Sequence, residues 1–497
     1  MNKIKIGWSE QSIVPEGRKV DLVGQFYERI SDVVETPISI TALAIECGDD
    51  AAIFCVCDLV STSHALLREI REAIPEGLGI PKDKIMLSVI HTHTSMGYSG
   101  RGDGFGSSLQ CLMKIKPEHI EYVPLVSDND PNILRGDEAK AFIIERAVKA
   151  IVEAWEKRSE GGYATGFGRA AIGMCRRVCY DDGSAKMWGD TNKANFTELE
   201  TGNDGGIEML FTYDTKGKLT GVIANIACPS QVLEHQNFIS SDLSGKIKGL
   251  VREKYGDDVN FIYFISPAGD QCPRDMVRWV DAEIKLNDPN IIRDYIIERD
   301  ADPSMFDVSG CERAALRAVN EIFYELDHVK NVVTETELEH KKLTVSLPVR
   351  RVTIEEKDAA VRELERFFEK CGDKIDYADN ANNMIHAGTI ARYEYQQEHN
   401  MYDIEVHVLR LGDIAFATNP FELFLNYGNQ MRARSKARQT FLIQQCCGAF
   451  GYLPTEKAEK GSHYSAFVSS GTTGHVGGDI LVRTTVEEIN KMWKEEK

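Results

Sequence analysis

Long apolar runs are missing from this sequence. No stretch of its 497 residues approaches the ~18–20 consecutive apolar residues that span a bilayer, so membrane insertion is not expected. Positive charge is also in deficit, with 58 Lys and Arg against 77 Asp and Glu and a net charge of -19. Nucleic-acid binding rests on clustered Lys and Arg, so that partner class is excluded, and the acidic balance reads as a source of solubility. There is no Cys-x-x-Cys pair, which removes the zinc-ribbon class. The 12 cysteines are scattered from Cys47 to Cys446-Cys447 without the dense spacing of a disulfide scaffold. They are expected to be reduced thiols in a core, in a cytoplasmic setting. The opening Met-Asn-Lys-Ile-Lys-Ile-Gly-Trp runs directly into strand-like alternation, so no cleaved signal peptide is expected. No repeat, low-complexity tract or Gly-, Pro- or Ser-rich linker interrupts the chain. With 42% hydrophobic and 27% charged residues, the composition is that of a folded globular protein, expected as one interwoven α/β unit over residues 1–497.

The hydrophobic pattern alternates between strands and helices. Residues 51–60 (AAIFCVCDLV) read as a buried strand, 63–74 repeat apolar residues at helical spacing, and 84–90 (KIMLSVI) return to a strand. Such a strand-helix-strand unit pairs its strands in parallel by default. A long amphipathic helix is predicted over 138–157, and a hairpin over 207–227 with its turn at Asp214-Thr215-Lys216-Gly217. Residues 261–265 form a short strand, 311–326 and 358–371 helices, and 343–352 an exposed strand. The polar, Pro-bearing stretch 286–309 is expected to be a surface excursion. Near the end, a strand over 414–418 leads into a helix over 421–434, and another strand covers 440–445.

Open α/β sheets place ligand sites beyond the carboxyl ends of their strands. The polar residues in such positions are His91 and His93, Cys228, Asp270 and Cys272, Glu422 and Tyr452. His91 and His93 alternate as i and i+2. On an extended backbone both imidazoles fall on one side and can share an ion, or one can bind it while the other hydrogen-bonds. Gly97, Gly100, Gly102 and Gly104 follow and allow close approach of a substrate. Cys272 sits in a tight loop near Asp270 and Arg274, and positive charge or a metal there would make its thiol a nucleophile; otherwise it is an inert core thiol. Glu422 follows Pro420 at a predicted helix start, where it caps the helix or serves as a metal carboxylate.

With these residues in view, the chain resembles the neutral, or alkaline non-lysosomal, ceramidase family in its amino-terminal catalytic domain. Ile90-His91-Thr92-His93-Thr94-Ser95 is similar to that family's Thr-His-Thr-His-Ser-Gly strand end, and Gly269-Asp270-Gln271-Cys272-Pro273 to its Gly-Asp-x-Ser-Pro nucleophile segment. Pro420-Phe421-Glu422 and Gly451-Tyr452-Leu453-Pro454-Thr455 are similar to the segments that supply a zinc carboxylate and a zinc phenolate. The resemblance implies a mixed or parallel α/β fold flanked by helices, and one Zn2+ per chain. It implies ligands among His91, His93, Glu422 and Tyr452, with Tyr464 helping to hold an oxyanion. Two positions depart from the family pattern. Cys228, in the stretch before Ile239-Ser240-Ser241-Asp242, stands where the family has its second zinc histidine, so Cys228 or His235 is left to fill that ligand position. Cys272 stands where the family has its serine.

The sequence stops where the family's carboxyl-terminal immunoglobulin-like domain would begin, and ceramide is not the expected substrate. The implied activity is zinc-dependent hydrolysis of an amide or related bond in a small molecule. Three other readings remain: an amidohydrolase barrel, whose regular strand-helix alternation is not visible; a non-catalytic ceramidase-like binding protein; and a metal enzyme acting on a sugar-like ligand.

Overall fold

The computed structural model describes residues 1–25, 27–99, 121–122, 127, 129–277, 307–371, 374–375 and 377–493. Gly100, Gly102 and Gly104, and the predicted excursion as far as residue 306, lie outside them.

The described residues contain a sheet of nine strands. In chain order these are β1 (Asn2–Ser12), β2 (Ser39–Cys47), β3 (Asp50–Cys57), β4 (Ile85–Val89), β5 (Ser159–Arg169), β6 (Gly206–Asp214), β7 (Leu219–Ile226), β8 (Asn260–Ile265) and β9 (Glu335–Thr336). The spatial order is β8-β7-β6-β5-β1-β2-β3-β4, with β9 alongside β1. Neighbours run antiparallel except at the two ends, where β7 pairs β8 and β3 pairs β4 in parallel. The crossover between β3 and β4 is α1 (His64–Ala73), whose first turn is capped by the Ser63 hydroxyl accepting from the Leu66 amide at 3.0 Å. Strand, helix and parallel pairing in this unit follow the sequence reading, as does the β6-β7 hairpin.

A second sheet is built from β10 (Leu338–Pro348), β11 (Met401–Leu411), β12 (Ile414–Thr418) and, beyond a short β13 (Glu422–Leu423), β14 (Gln439–Ile443). Its last pair, β12 and β14, is again parallel. The inner faces of the two sheets meet through stacked aromatics. Phe54 on β3 lies 5.3 Å from Phe264 on β8 and 5.4 Å from Phe416 on β12, which in turn stacks on Phe441 of β14 at 4.5 Å. Because β3 and β8 lie toward opposite edges of the nine-stranded sheet, the Phe54–Phe264 contact requires that sheet to curl.

Helices cover the outer faces. The Gly136–Glu156 helix packs on β1 and β2, and Gly7 of β1 makes room for it: a Cβ there would stand 2.0 Å from the Ala154 carbonyl oxygen. The Val308–Asp327 helix lies on β5, and the His475–Lys491 helix on β10 and β11. Among the described residues no helix is long and apolar enough to cross a membrane.

The segment Gln444–Cys447, just past β14, joins both edges of the curled sheet. The Gln444 amide donates to the Ile265 carbonyl of β8 at 3.0 Å, Cys446 bridges Ser88 of β4, and the Cys447 amide donates to Leu87 at 2.8 Å. Asn225 of β7 adds a link between the sheets, accepting from the Leu442 amide at 3.0 Å and donating to the Leu442 carbonyl at 2.8 Å. Asn225 is fully buried, so its removal strands two backbone groups, each at a cost of ~1–3 kcal/mol. Asn225→Ala is therefore expected to destabilise the protein by ~2–5 kcal/mol in urea unfolding, and a loss below about 0.5 kcal/mol would show that Asn225 is not the link.

Candidate metal centre

The parallel pairs at the sheet ends bring the loops after β4, β7, β12 and β14 together. A cavity of about 300 Å³ opens there, and its wall includes His91, His93, Arg176, Glu234, Glu422, Tyr452 and Tyr464. The histidines do not converge by strand alternation, as the sequence suggested. The strand ends at Val89, and His91 sits in the left-handed region with φ of 61°. This turn swings the rings into an edge-on contact at 4.9 Å between centroids, with the two Nε2 atoms 3.3 Å apart. A non-glycine residue at positive φ is strained, and here the surroundings hold it. The Thr92 and Thr94 hydroxyls donate to the Ser240 carbonyl, and Arg29 reaches the His93 carbonyl at 2.6 Å and the Glu234 carbonyl at 2.7 Å. Gly24, at φ of 109°, lies against the His93 ring, where a Cβ would be 2.5 Å from Cγ.

The His91 Nδ1 lies 2.6 Å from the Val60 carbonyl oxygen. A carbonyl only accepts, so the proton is on Nδ1 and the Nε2 lone pair faces the cavity, the tautomer that second-sphere bonds enforce on metal-binding histidines. The Gln445 side-chain amide lies 2.9 Å from the same Nδ1, and with Nδ1 protonated it is the amide oxygen, otherwise without a partner, that can accept there. Both rings stay neutral. Burial lowers the His91 value, and burial, followed by the neighbouring His91 ring and the charges of Arg29 and Arg176, holds His93 well below the ordinary range. The Glu422 Oε2 stands 3.8 Å from His91 Nε2. Two nitrogens bound at ~2.0–2.1 Å to a tetrahedral zinc lie ~3.3–3.4 Å apart, so the observed spacing of the two Nε2 atoms fits such an ion.

Glu422 reaches the cavity from an extended segment rather than from a helix start. Its amide donates to the Gly451 carbonyl at 2.9 Å, and Glu422–Leu423 pairs in parallel with Tyr452–Leu453, in register Glu422 to Tyr452; the helix begins only at Leu425. Backbone pairing across two loops thus overrides the local helix signal. It also sets the carboxylate beside the phenol. The Tyr452 and Tyr464 hydroxyls are 3.1 Å apart, and burial pushes both phenols up, so they remain protonated in the metal-free protein.

Tyr464 is flanked by three non-glycine residues at positive φ, Ser462 at 63°, His463 at 74° and Ser465 at 71°. Arg177, fully buried, holds this loop by donating to the Ser462 carbonyl at 2.9 Å and the Tyr464 carbonyl at 3.1 Å while pairing with Glu200 at 2.9 Å. Its neighbour Arg176 faces the cavity. Burial opposes its charge, the neighbouring Glu422 carboxylate favours it, and its Nε is buried without a protein partner.

Of the residues singled out in the sequence, His91, His93, Glu422, Tyr452 and Tyr464 share this cavity, whereas Cys228, His235 and Cys272 are not on its wall. Cys228 turns into the apolar core, and burial pushes its thiol well up. The next turn is fixed by the Asp242 carboxylate, which accepts from the amides of Val232 at 3.0 Å and Leu233 at 2.7 Å. Those two side chains enter the core, while Gln231 and Glu234, on either side of them, line the cavity. His235 lies behind Glu234, with Nε2 3.5 Å from its Oε1 and Nδ1 3.1 Å from the Tyr27 hydroxyl. The Cys272 thiol is fully buried, lies 3.4 Å from the Arg274 carbonyl oxygen, and is pushed up to about 12 by burial against the charge of Arg176. It is a thiol and not a thiolate. Sequence reasoning missed Arg176, Arg177, Gln231 and Glu234. The adjacent arginines inside the apolar run Cys175-Arg176-Arg177-Val178-Cys179 were the available signal, since neighbouring side chains in extended chain point opposite ways.

No protein-family model and no curated protein sequence matches the chain. The structure matches that of neutral ceramidase from Pseudomonas aeruginosa with a TM-score of 0.66 at 14% identity, covering 100% of this chain and 76% of that one. It matches a ceramidase complexed with C2 at a TM-score of 0.66 and 13% identity, covering 100% of this chain and 77% of the other. At such identities the likeness establishes the fold, and the mixed α/β, ceramidase-like class expected from the sequence is the fold of this chain.

Two outcomes follow from the geometry. In metal-free protein, NMR titration of the His91 and His93 side chains should show no protonation midpoint at the ordinary imidazole value of 6.5; a midpoint there would contradict the neutral, lone-pair-inward arrangement. Removing one partner of a buried ion pair costs ~3–5 kcal/mol, so Arg177→Met should lower stability on that scale, whereas an unchanged urea midpoint would contradict its role in holding the Tyr464 loop.

Proposed function

We propose that the chain is a zinc-dependent hydrolase that cleaves an amide or related bond of a small soluble substrate other than ceramide. The observation that carries this reading is the 3.3 Å approach of the neutral His91 and His93 Nε2 atoms in a cavity shared with Glu422 and the two tyrosines. The 3.3 Å spacing supports two nitrogen ligands to one ion, and His91 and His93, with Glu422 and Tyr452 on the same wall, would hold one zinc per chain. Such an ion supplies Lewis-acid polarisation of a carbonyl and lowers the pKa of water.

The remaining groups of the cavity have separate tasks. Arg176, permanently charged and on the cavity wall, would stabilise an oxygen that gains negative charge, and the Tyr464 hydroxyl would donate to the same oxygen. Glu234, with Oε2 3.7 Å from His93 Nδ1 and bonded by Gln231 at 2.8 Å, accepts the proton of the attacking water and returns it to the leaving group. Met187 and Trp188 form an apolar wall that limits bulk water. Cys272, a buried thiol off the cavity wall, has no part in this scheme. A volume of about 300 Å³ among the described residues is at the low end of the ~300–1,000 Å³ of small-molecule sites, which supports a small substrate.

Metal analysis of purified protein, combined with a panel of N-acyl, ester and glycosidic substrates, tests the proposal. One zinc per chain is expected, with hydrolysis of an N-acyl or ester member. His93→Ala and Glu422→Ala should each lose the metal; full occupancy in both would sink the assignment. Tyr464→Phe should keep the zinc and lower kcat by ~10²-fold, the usual effect of removing one oxyanion donor. Cys272→Ala should retain activity. Bound zinc with no turnover of any panel member would favour the non-catalytic binding protein.

A further inference from the structure

Glu405, His407 and Cys447 bring a carboxylate oxygen, a ring nitrogen and a sulfur within 4.8 Å of one another and could hold a metal ion, but Cys447 lies inside the apolar core. A polar ring that the proposed reaction leaves unused, and that a molecule in the cavity can reach, is His463. It is part of the cavity wall together with Met187 and Trp188, one residue before Tyr464.

The ring is held by backbone. Ala185–Met187 is an edge strand of a small three-stranded sheet, paired on one side with Arg177–Tyr180. An edge strand leaves amides outside its ladder, and a buried amide needs an acceptor. Met187 is buried, and its amide donates to His463 Nδ1 at 3.2 Å. A nitrogen that accepts carries no proton, so the neutral ring has its proton on Nε2. Burial, with the charges of Arg177 and Lys186, lowers the His463 value to about 4, which keeps the ring neutral near neutral pH. Its Nε2 bonds to no described residue, yet it is not among the buried unpartnered atoms. It is therefore an open N–H, and it can donate one hydrogen bond and accept none.

The surroundings give this donor a setting. His463 is at φ of 74°, in the loop that Arg177 fastens through the Ser462 and Tyr464 carbonyls. Trp188 is at φ of 57°, rare for so large a side chain, and its amide donates to the Arg176 carbonyl at 2.7 Å. Two strained residues from separate loops thus bring an indole, a thioether and one N–H donor to the same cavity. The charged groups on that wall are Arg176, which the reaction uses, and the carboxylates of Glu234 and Glu422. A second anion would be desolvated with no countercharge of its own, whereas an uncharged oxygen needs only the donor.

We propose that His463 is a specificity-determining residue that donates from Nε2 to an uncharged acceptor oxygen, a hydroxyl, ether or carbonyl, on the part of the substrate lying against Met187 and Trp188. The substrate class narrows to small N-acyl compounds that carry a second oxygen function beside an apolar face. This assignment rests on the reading of the cavity as a substrate site, and its test is built so that the two fail separately.

The tautomer is tested first, in metal-free protein carrying histidine labelled at its ring nitrogens, with the His463 signals identified by their loss in His463→Asn. At neutral pH the proton is expected on Nε2 alone; a protonated Nδ1, with or without Nε2, overturns the proposal. Contact is then tested with a matched pair, N-acetyl-2-aminocyclohexanol and N-acetylcyclohexylamine, added with and without zinc. The hydroxyl compound should shift the Nε2–H resonance and bind about 10-fold more tightly than its deoxy partner, the order set by one neutral hydrogen bond. His463→Asn keeps an oxygen that can accept from Met187 and tolerates positive φ, so it should fold while losing that preference. A shifted resonance without turnover of either compound counts against hydrolysis and leaves the contact standing. An unmoved resonance, or an unchanged preference in His463→Asn, overturns the contact whether or not turnover is seen; the wild-type resonance decides if the variant fails to fold.

Discussion

The segment Gln444–Cys447 is the constraint on which the rest of this structure depends. A sheet whose outer strands are both parallel additions has two unpaired edges, and unpaired backbone groups are costly once buried. Here one short segment bonds Ile265 on one edge and Leu87 and Ser88 on the other, while its own strand, β14, belongs to the second sheet. The Cys446 amide also donates to the Asn419 carbonyl, and the Gln445 amide to that of Phe421. Curling, sheet stacking and the convergence of strand ends are therefore one event. The cavity forms where that event leaves side chains facing one another.

Such a closure makes strained backbone affordable at the site. His91, Gln445 and Cys447, and the residues flanking Tyr464, all occupy the left-handed region without being glycine. Each costs ~1–3 kcal/mol and persists only where surrounding bonds over-determine it. The bonds are visible: Arg29 across the His93 and Glu234 loops, Arg177 under the Tyr464 loop, and Asp242 under the turn that presents Gln231 and Glu234. The two arginines are permanently charged and buried, so their partners are carbonyl oxygens and carboxylates, which absorb charge without a titration step.

Much of the fold was legible from the sequence. The β3-α1-β4 unit, the β6-β7 hairpin and β8 follow from periodicity and turn residues alone. The errors are of one kind. His91 was expected on extended chain and Glu422 at a helix start, and in both cases backbone bonds to a distant loop replaced the local preference. Cys228 and Cys272 occupy motif positions, but motif order says nothing about which way a side chain turns at a strand end. Glu234 was invisible for the same reason: a single polar residue beside Val232 and Leu233 carries no pattern until Asp242 fixes the turn.

What the sequence determined by itself is the set of strands and helices, the acidic balance and the lack of a long apolar run, and a short set of polar residues at strand ends. These depend on local periodicity and composition, which each segment carries with it. Only the tertiary structure decided which of those residues face a common cavity, that Arg176 and Glu234 join them, and that Cys446-Cys447 lies one residue behind His91. Those facts arise from hydrogen bonds between segments far apart in the chain, whose geometry exists only after both edges of the curled sheet have been joined.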